Sequence, residues 1–440
     1  MKKLLMRAAM SPLDNLSTYE VLSRNTVGDN IGNMLFAYSM FRTLMLEDTQ
    51  IDSYRKPIVS EYEFINEEYD AFVMPLANAF RPGFMSYLNR LTKLIKKLNI
   101  PCVVTGCGLQ APADVSMEDG YPFDEDVKEF VKAVLDKSAA IGVRGEITAE
   151  YLKKLGFGSS VVEVIGCPSM FMNGRALPET KKKKKLSKKS IICYNEHKNF
   201  EKFHRFLTKN KKKYPEHYLM TQETAELELL YAGVALPKNR IAAKDYPKDI
   251  THPDYAAGRM RSFVNVPTWR EFMSQADFSY GTRIHGNVAA IQSGIPAFIF
   301  PADSRVRELA EYHELPNMLI GDMPLNLTLE EIYEETDFSI IHKNHAKRFD
   351  HFIDFLHRNE LETVYDKDLD RKVTPFDKKI KALNLEPPVV PLLSLSTEEM
   401  SKRLTTYGRG KNKKIAAQKA QVGELKKEKA AMAKQLKELQ

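Results

Sequence analysis

The chain has 440 residues, 43% of them hydrophobic and 28% charged, with a formal net charge of +7. That length exceeds one ordinary domain and supplies two cores, while no run approaches the roughly 20 apolar residues that cross a bilayer. The positive charge does not mark a nucleic-acid binder: nine Lys against three Glu lie in 411–440 and seven Lys in 181–189 (KKKKKLSKK), leaving the rest at −6, and neither run carries interleaved base-stacking aromatics.

The N-terminus, MKKLLMRAAMSPLDN, has a basic start but no sustained apolar stretch before Ser11 and Pro12, which argues against a signal peptide. Residues 20–50 read as a loop dense in Asn, Gly and Asp (RNTVGDNIGN) followed by a helix (MLFAYSMFRTLML). Such a loop is either a capped turn or a place where backbone amides meet a ligand. YDAFVMP (69–75) reads as a buried strand running into the polar loop LANAFRPG, which holds Asn78 and Arg81. A basic amphipathic helix over 86–99 precedes the strand Ile100–Thr105 and the loop GCGLQAP. Ligands of open α/β sheets bind at the carboxyl ends of strands, which makes Gly106, Gly108 and Gln110 candidate pocket residues.

A helix over Asp124–Ser138 leads to strand, loop and helix in AAIGVRGEITAEYLKKLG. Arg144 ends that strand; it either pairs with Glu146 or binds an anion. VVEVIGCPSMFM closes the first half, and the lysine run marks the boundary. The second half opens with the strand SIICY and Asn195, Glu196 and His197 at its exit. A basic helix over 199–213, the strand HYLMTQ and a helix over 222–234 follow, and ADFSYG leads into GTRIHGNVAAIQSGIPAFIF. There Ile284, Val288 and Ile291 recur at helical spacing, Thr282 offers an N-cap hydroxyl, and Gly294 and Pro296 end the helix. Arg283 and His285 then fall in the first helical turn, where free amides and the helix dipole favour an anion. The loop and helix PADSRVRELAEYHELP follow, with Asp303, Arg305 and Glu308. Residues 361–400 read as irregular. The last stretch reads as a basic helix whose Ile415, Val422, Leu425, Met432, Leu436 and Leu439 make an interrupted heptad seam, weak material for self-association. Cys102, Cys107, Cys167 and Cys193 form no C-x-x-C and no Cys/His cluster, the pattern of reduced thiols in a cytoplasmic protein without a zinc site.

The segment GTRIHGN…GIP resembles the C-terminal signature of the polysaccharide pyruvyl transferase family, an Arg-x-His element, a helix and a G-x-P turn into a strand. The likeness returns at Arg144–Thr148 and, with one extra residue, at Asn25, Gly28 and Asp29, where the family has an N-x-G-D element. The 76–81 loop departs from the glycine-rich loop of that family. Alternating β and α elements argue for parallel sheets covered on both faces. With the resemblance they imply two Rossmann-like domains facing a central cleft (GT-B-like): 1–178 on the acceptor side, the 179–189 linker, 190–375 on the donor side, and 376–440 as irregular segment and basic helix. The resemblance implies transfer of a pyruvyl group from phosphoenolpyruvate to a sugar hydroxyl pair of a glycan or lipid-linked saccharide, giving a pyruvate ketal without a metal or other cofactor.

A donor with phosphate and carboxylate needs cationic contacts, assigned to Arg144, Thr282, Arg283, His285 and Arg305. His285, assisted by Arg283, is expected to move the proton. Asn25, Asp29, Asn78, Arg81, Gln110 and His197 are expected to face the acceptor. Two other readings stand beside this one: a GT-B glycosyltransferase using a nucleotide sugar, and a non-catalytic scaffold docking by its basic tail to an anionic membrane face or partner.

Overall fold

In the computed structural model the described residues are 1–113, 120–196, 200–237 and 245–438, with residue 425 and residues 427–438 described by backbone alone. The first half builds a parallel sheet from β1 (Lys2–Met6), β2 (Thr49–Ser53), β3 (Ala71–Pro75) and β4 (Cys102–Thr105), in the order β2-β1-β3-β4. The parallel pair β5 (Ile141–Val143) and β6 (Val162–Val164) continues it through a bridge between Cys107 and Val143. The second half builds a five-stranded sheet from β7 (Ile192–Asn195), β8 (His217–Met220), β9 (Met260–Arg261), β10 (Phe278–Gly281) and β11 (Ala297–Ile299). Its order, β11-β10-β7-β8-β9, is all parallel and is the Rossmann order read from its far edge. The chain is therefore α/β with two Rossmann-like sheets.

Strand pleating divides the core. Leu4, Met6, Val73 and Val103 face a cluster that continues through the Asn33–Leu44 helix into the second half, to Phe41, Tyr194, Trp269 and Phe278. Leu5, Phe72, Met74 and Val104, their neighbours in sequence, face a separate cluster on the other side of the first sheet. That period-two split is why these strands read as unbroken apolar runs. The His345–Arg358 helix returns from the second half to the first: Phe352 stacks on Phe171 with ring centroids 5.0 Å apart, and Asn359 Oδ1 accepts from Ala140 N at 3.1 Å.

Several expectations change. Lys2–Met6, a basic start to which the sequence pattern assigns no element, is β1, inside the first sheet. The lysine run is not wholly solvated, since Lys183 Nζ pairs with Asp277 at 2.5 Å and Lys182 Nζ donates to Glu334 O and Thr336 O. Within the stretch read as irregular, Pro375–Lys381 is a helix with a Thr374 capping box. The terminal helix, Thr397–Glu438, docks by its first turns: Tyr407 and Lys411 both meet Glu228, and Arg403 lies over the Tyr231 ring. Of the proposed seam, Ile415 and Val422 are exposed, and the side chains of Leu425, Met432, Leu436 and Leu439 lie outside the described ones. Among the described residues no helix is long and apolar enough to cross a membrane.

Candidate active site

Both sheets have a topological switch point, and the ends of the strands flanking it are where an open α/β sheet leaves a crevice. In the second sheet this lies between β7 and β10, at Asn195 and Gly281. Gly281 has φ +149°, and a Cβ there would stand 1.9 Å from Asn195 O, so only glycine lets the two strand ends approach. Asn195 then organises the Arg-x-His segment: its backbone O accepts from Thr282 N (3.0 Å) and its Oδ1 from Arg283 N (2.7 Å). The helix spans Ile284–Ile291 with Arg283 as its N-cap, so Thr282 does not cap it. Part of the helix's free amide potential is thus taken by Asn195 rather than held open for an anion.

Arg283 is also committed. Its Nε donates to Glu196 O at 3.1 Å and its Nη2 pairs with Glu223 Oε1. It ties the end of β7 to the start of the Thr224–Ala232 helix. His285 is 5% exposed. Its Nε2 lies 3.9 Å from Cys167 Sγ, and its ring packs on Phe36 with centroids 5.9 Å apart. Nδ1 faces Gly32, where an added Cβ would come within 2.7 Å. Burial first, then the charges of Arg144 and Arg305, push its pKa down to about 3. The imidazole is neutral at pH 7 and, with its protonated form disfavoured, a weaker base than an ordinary histidine.

Arg144, at the end of β5, is 2% exposed and makes no ion pair among the described residues, so the pairing with Glu146 does not form. Its Nη2 points to Cys167 Sγ (3.8 Å) and its buried Nε has no partner. The neighbouring carboxylate belongs to the other half. Glu308, on the Ser304–Tyr312 helix, accepts from Thr148 N (2.9 Å) and Thr148 Oγ1 (2.8 Å) at the start of the Glu146–Lys154 helix. Burial raises its pKa to about 7 despite those bonds. Ser304 Oγ donates to Leu109 O (2.8 Å) and accepts from Ala111 N (3.0 Å), so this helix seats the second half on the loop after β4.

Donor and acceptor sets meet at Asn78. With its amide oxygen turned toward the two guanidiniums, Asn78 accepts from Arg305 Nη1 at 2.8 Å and from Arg81 Nε at 3.3 Å, with the Gln110 side chain 2.9 Å away. Arg305 is held by both oxygens of Asp303. Burial first, then the nearby Arg305, pushes the Arg81 pKa down.

Asn78 and Arg81 also line a cavity of about 640 Å³ at the first sheet's switch point, between the ends of β1 and β3. Asn25 and Asp29 line it too, in left-handed backbone (φ 48° and 66°) and bonded to each other at 3.0 Å. The structure thus brings Asn25, Asp29, Asn78 and Arg81 to one cavity, with Gln110 and Arg305 beside it. Phe36 lines the cavity and packs on His285, which stands behind that wall; Thr282 and Arg283 belong to the second sheet's switch point. His197 lies outside the described residues. Sequence reasoning missed Arg7, Arg55, Lys56, Phe84, Tyr87 and Arg90 on the same walls. A strand assigned to KKLLM would have exposed Arg7 as a residue just past a strand's carboxyl end, the position that singled out Arg144.

Solved structures with a similar arrangement include Anabaena HepE in complex with UDP (11% identity, TM-score 0.41, covering 82% of this chain and 98% of that one). Another is the UDP-GlcNAc 2-epimerase of Neisseria meningitidis bound to UDP-GlcNAc (11% identity, TM-score 0.40, covering 82% and 100%). No curated protein matches the chain by sequence. The model of the polysaccharide pyruvyl transferase family matches residues 30–304, from the loop before the Asn33–Leu44 helix to the start of the helix that carries Arg305 and Glu308, and the chain belongs to that family.

Proposed function

We propose that the chain transfers the pyruvyl group of phosphoenolpyruvate to a pair of hydroxyls on a saccharide of a cell-surface polysaccharide or its lipid-linked precursor. The observation that carries this reading is the junction at Asn78. Arg81 of one half and Arg305 of the other, the latter also held by Asp303, converge there at the edge of a saccharide-sized cavity. Two guanidiniums so placed suit a small donor with two anionic ends. In the reaction two C–O bonds form at the donor's C2 and its bond to the phosphate oxygen breaks. One hydroxyl proton ends on the methylene carbon, which becomes methyl, and the other leaves on inorganic phosphate. His285, kept neutral by burial first and then by Arg144 and Arg305, relays a proton in this scheme, and Arg144 supplies charge as the phosphate departs. Asn25 and Asp29 bind the sugar hydroxyls. Four buried free thiols suit work in the reducing cytoplasm.

Ligand-induced thermal stabilisation tests the reading. Phosphoenolpyruvate alone is expected to raise the melting point, and Arg305→Ala to abolish the rise. A rise with nucleotide sugars and none with phosphoenolpyruvate would overturn pyruvyl transfer in favour of glycosyl transfer.

A further inference from the structure

Pyruvyl transfer gives the terminal helix no task. Thr397–Glu438 lies beyond residues 30–304, which match the family, and its root is fixed to the body. Arg403 lies over the Tyr231 ring, Tyr407 and Lys411 meet Glu228, and a Cβ at Gly410 would overlap the Tyr19 hydroxyl. Tyr19 belongs to the Thr18–Arg24 helix of the first half and Glu228 to the Thr224–Ala232 helix of the second. The root is therefore packed on both halves, and the Thr18–Arg24 helix runs directly into Asn25 on the cavity wall.

Beyond the root the helix loses that support. Every described residue from 411 to 426 except Gly423 is exposed, and the helix continues to Glu438, about 40 Å past Lys411 at 1.5 Å per residue. Ile415 and Val422, 47% and 50% exposed, stand two turns apart on one face. Lys419 and Lys426 follow them at i+4 on that same face, and Lys414 flanks it, about 100° round the helix from Ile415. The butyl stems of such lysines widen an apolar stripe while their ammonium groups reach past it. None of the three makes an ion pair among the described residues. Residues 411–440 carry nine Lys and three Glu, whereas the chain outside its two lysine runs is at −6. Positive charge is thus carried out from an acidic body on a helix that the body leaves bare.

We infer that this helix docks the protein on an anionic phospholipid bilayer. Ile415 and Val422 enter the headgroup boundary, and Lys414, Lys419 and Lys426 meet the lipid phosphates. A second copy fits the same face less well, because Lys419 and Lys426 would flank the seam and meet like charges. A protein groove takes large apolar anchors at i, i+3 or i+4 and i+7, and here Gln418 and Lys419 stand between Ile415 and Val422. Nucleic acid offers no apolar layer to cover the two, and the face has no aromatic to stack on a base.

Co-sedimentation of the full chain with phosphatidylcholine vesicles, with and without phosphatidylglycerol, tests this. Binding to the anionic vesicles is expected to be at least about tenfold tighter and to weaken as salt rises. Lys414→Gln, Lys419→Gln and Lys426→Gln together, at exposed positions, should remove at least about tenfold of that affinity with the melting point unchanged. Ile415→Ala with Val422→Ala should lower it severalfold at the same lipid charge. Phosphoenolpyruvate binding should be unchanged in both variants. Equal binding to neutral and anionic vesicles, no binding to either, or full affinity in the lysine variant overturns the proposal. Full affinity in the Ile415 and Val422 variant also overturns it, since a bare polyanion contact needs no apolar stripe. A dimer that light scattering detects, that this variant disperses and that anionic vesicles leave intact assigns the face to a second copy instead.

Discussion

Glu308→Gln isolates the contact that joins the two halves beside the site. The carboxylate sits between Gly108 and Gly145, where an added Cβ would come within 3.0 Å of Glu308 Oε1 and 2.6 Å of Glu308 Cβ respectively. Burial raises its pKa from about 4.5 to about 7. The folded chain therefore binds more protons here than the unfolded chain between those values. Stability from this group is full below about pH 4.5, declines as pH rises and levels off above about 7. At 1.36 kcal/mol per pH unit the whole window is worth about 3 kcal/mol, or about 3 °C in melting point for a chain of this length. The amide of the variant would keep an oxygen for Thr148 N and cannot ionise. The variant should match the wild type near pH 5 and gain about 3 °C on it by pH 8, followed by scanning fluorimetry at half-unit steps. A difference that stays flat across the window would refute the reasoning. A constant deficit at every pH would mean that the Glu146–Lys154 helix needs the shape of the glutamate and not its protonation state.

Gly32→Ala needs no backbone change, because φ is −57° there, yet its methyl would press on His285 at 2.7–2.8 Å. Overpacking of this kind costs about 1–3 kcal/mol, and turnover should fall with the melting point; unchanged values of both would show that the helix yields freely. Arg283→Met removes the mostly buried ion pair with Glu223 and should cost about 2–4 kcal/mol. Its KM for phosphoenolpyruvate should stay within about twofold of the wild type. A tenfold rise in that KM at unchanged stability would return Arg283 to the donor site.

The β/α alternation, the Rossmann-like halves and the family signature were legible in the sequence because each depends on local pattern. Apolar runs such as FVMP and AFIF are buried on both faces whatever surrounds them, and glycine and proline end elements through their own backbone limits. Asn78 and Arg81 could be picked out because a loop following a strand opens at one edge of a parallel sheet, and Asn25 and Asp29 because a stretch dense in Asn, Gly and Asp before a helix marks a turn. What tertiary structure decided is which charges are spent and which are free. Arg283 and Arg305 look alike in sequence, yet Glu223, sixty residues away, occupies the first. Arg305 keeps one nitrogen for Asn78, even though Asp303 holds it too. His285 has an ordinary histidine's sequence context but lies where the first half's Asn33–Leu44 helix and Arg144 close over it, and that burial sets its protonation. Partners brought together by folding across tens to hundreds of residues leave no periodic trace in the chain, so the sequence determined where candidate residues lie, and the packing of the two halves determined which contacts each makes.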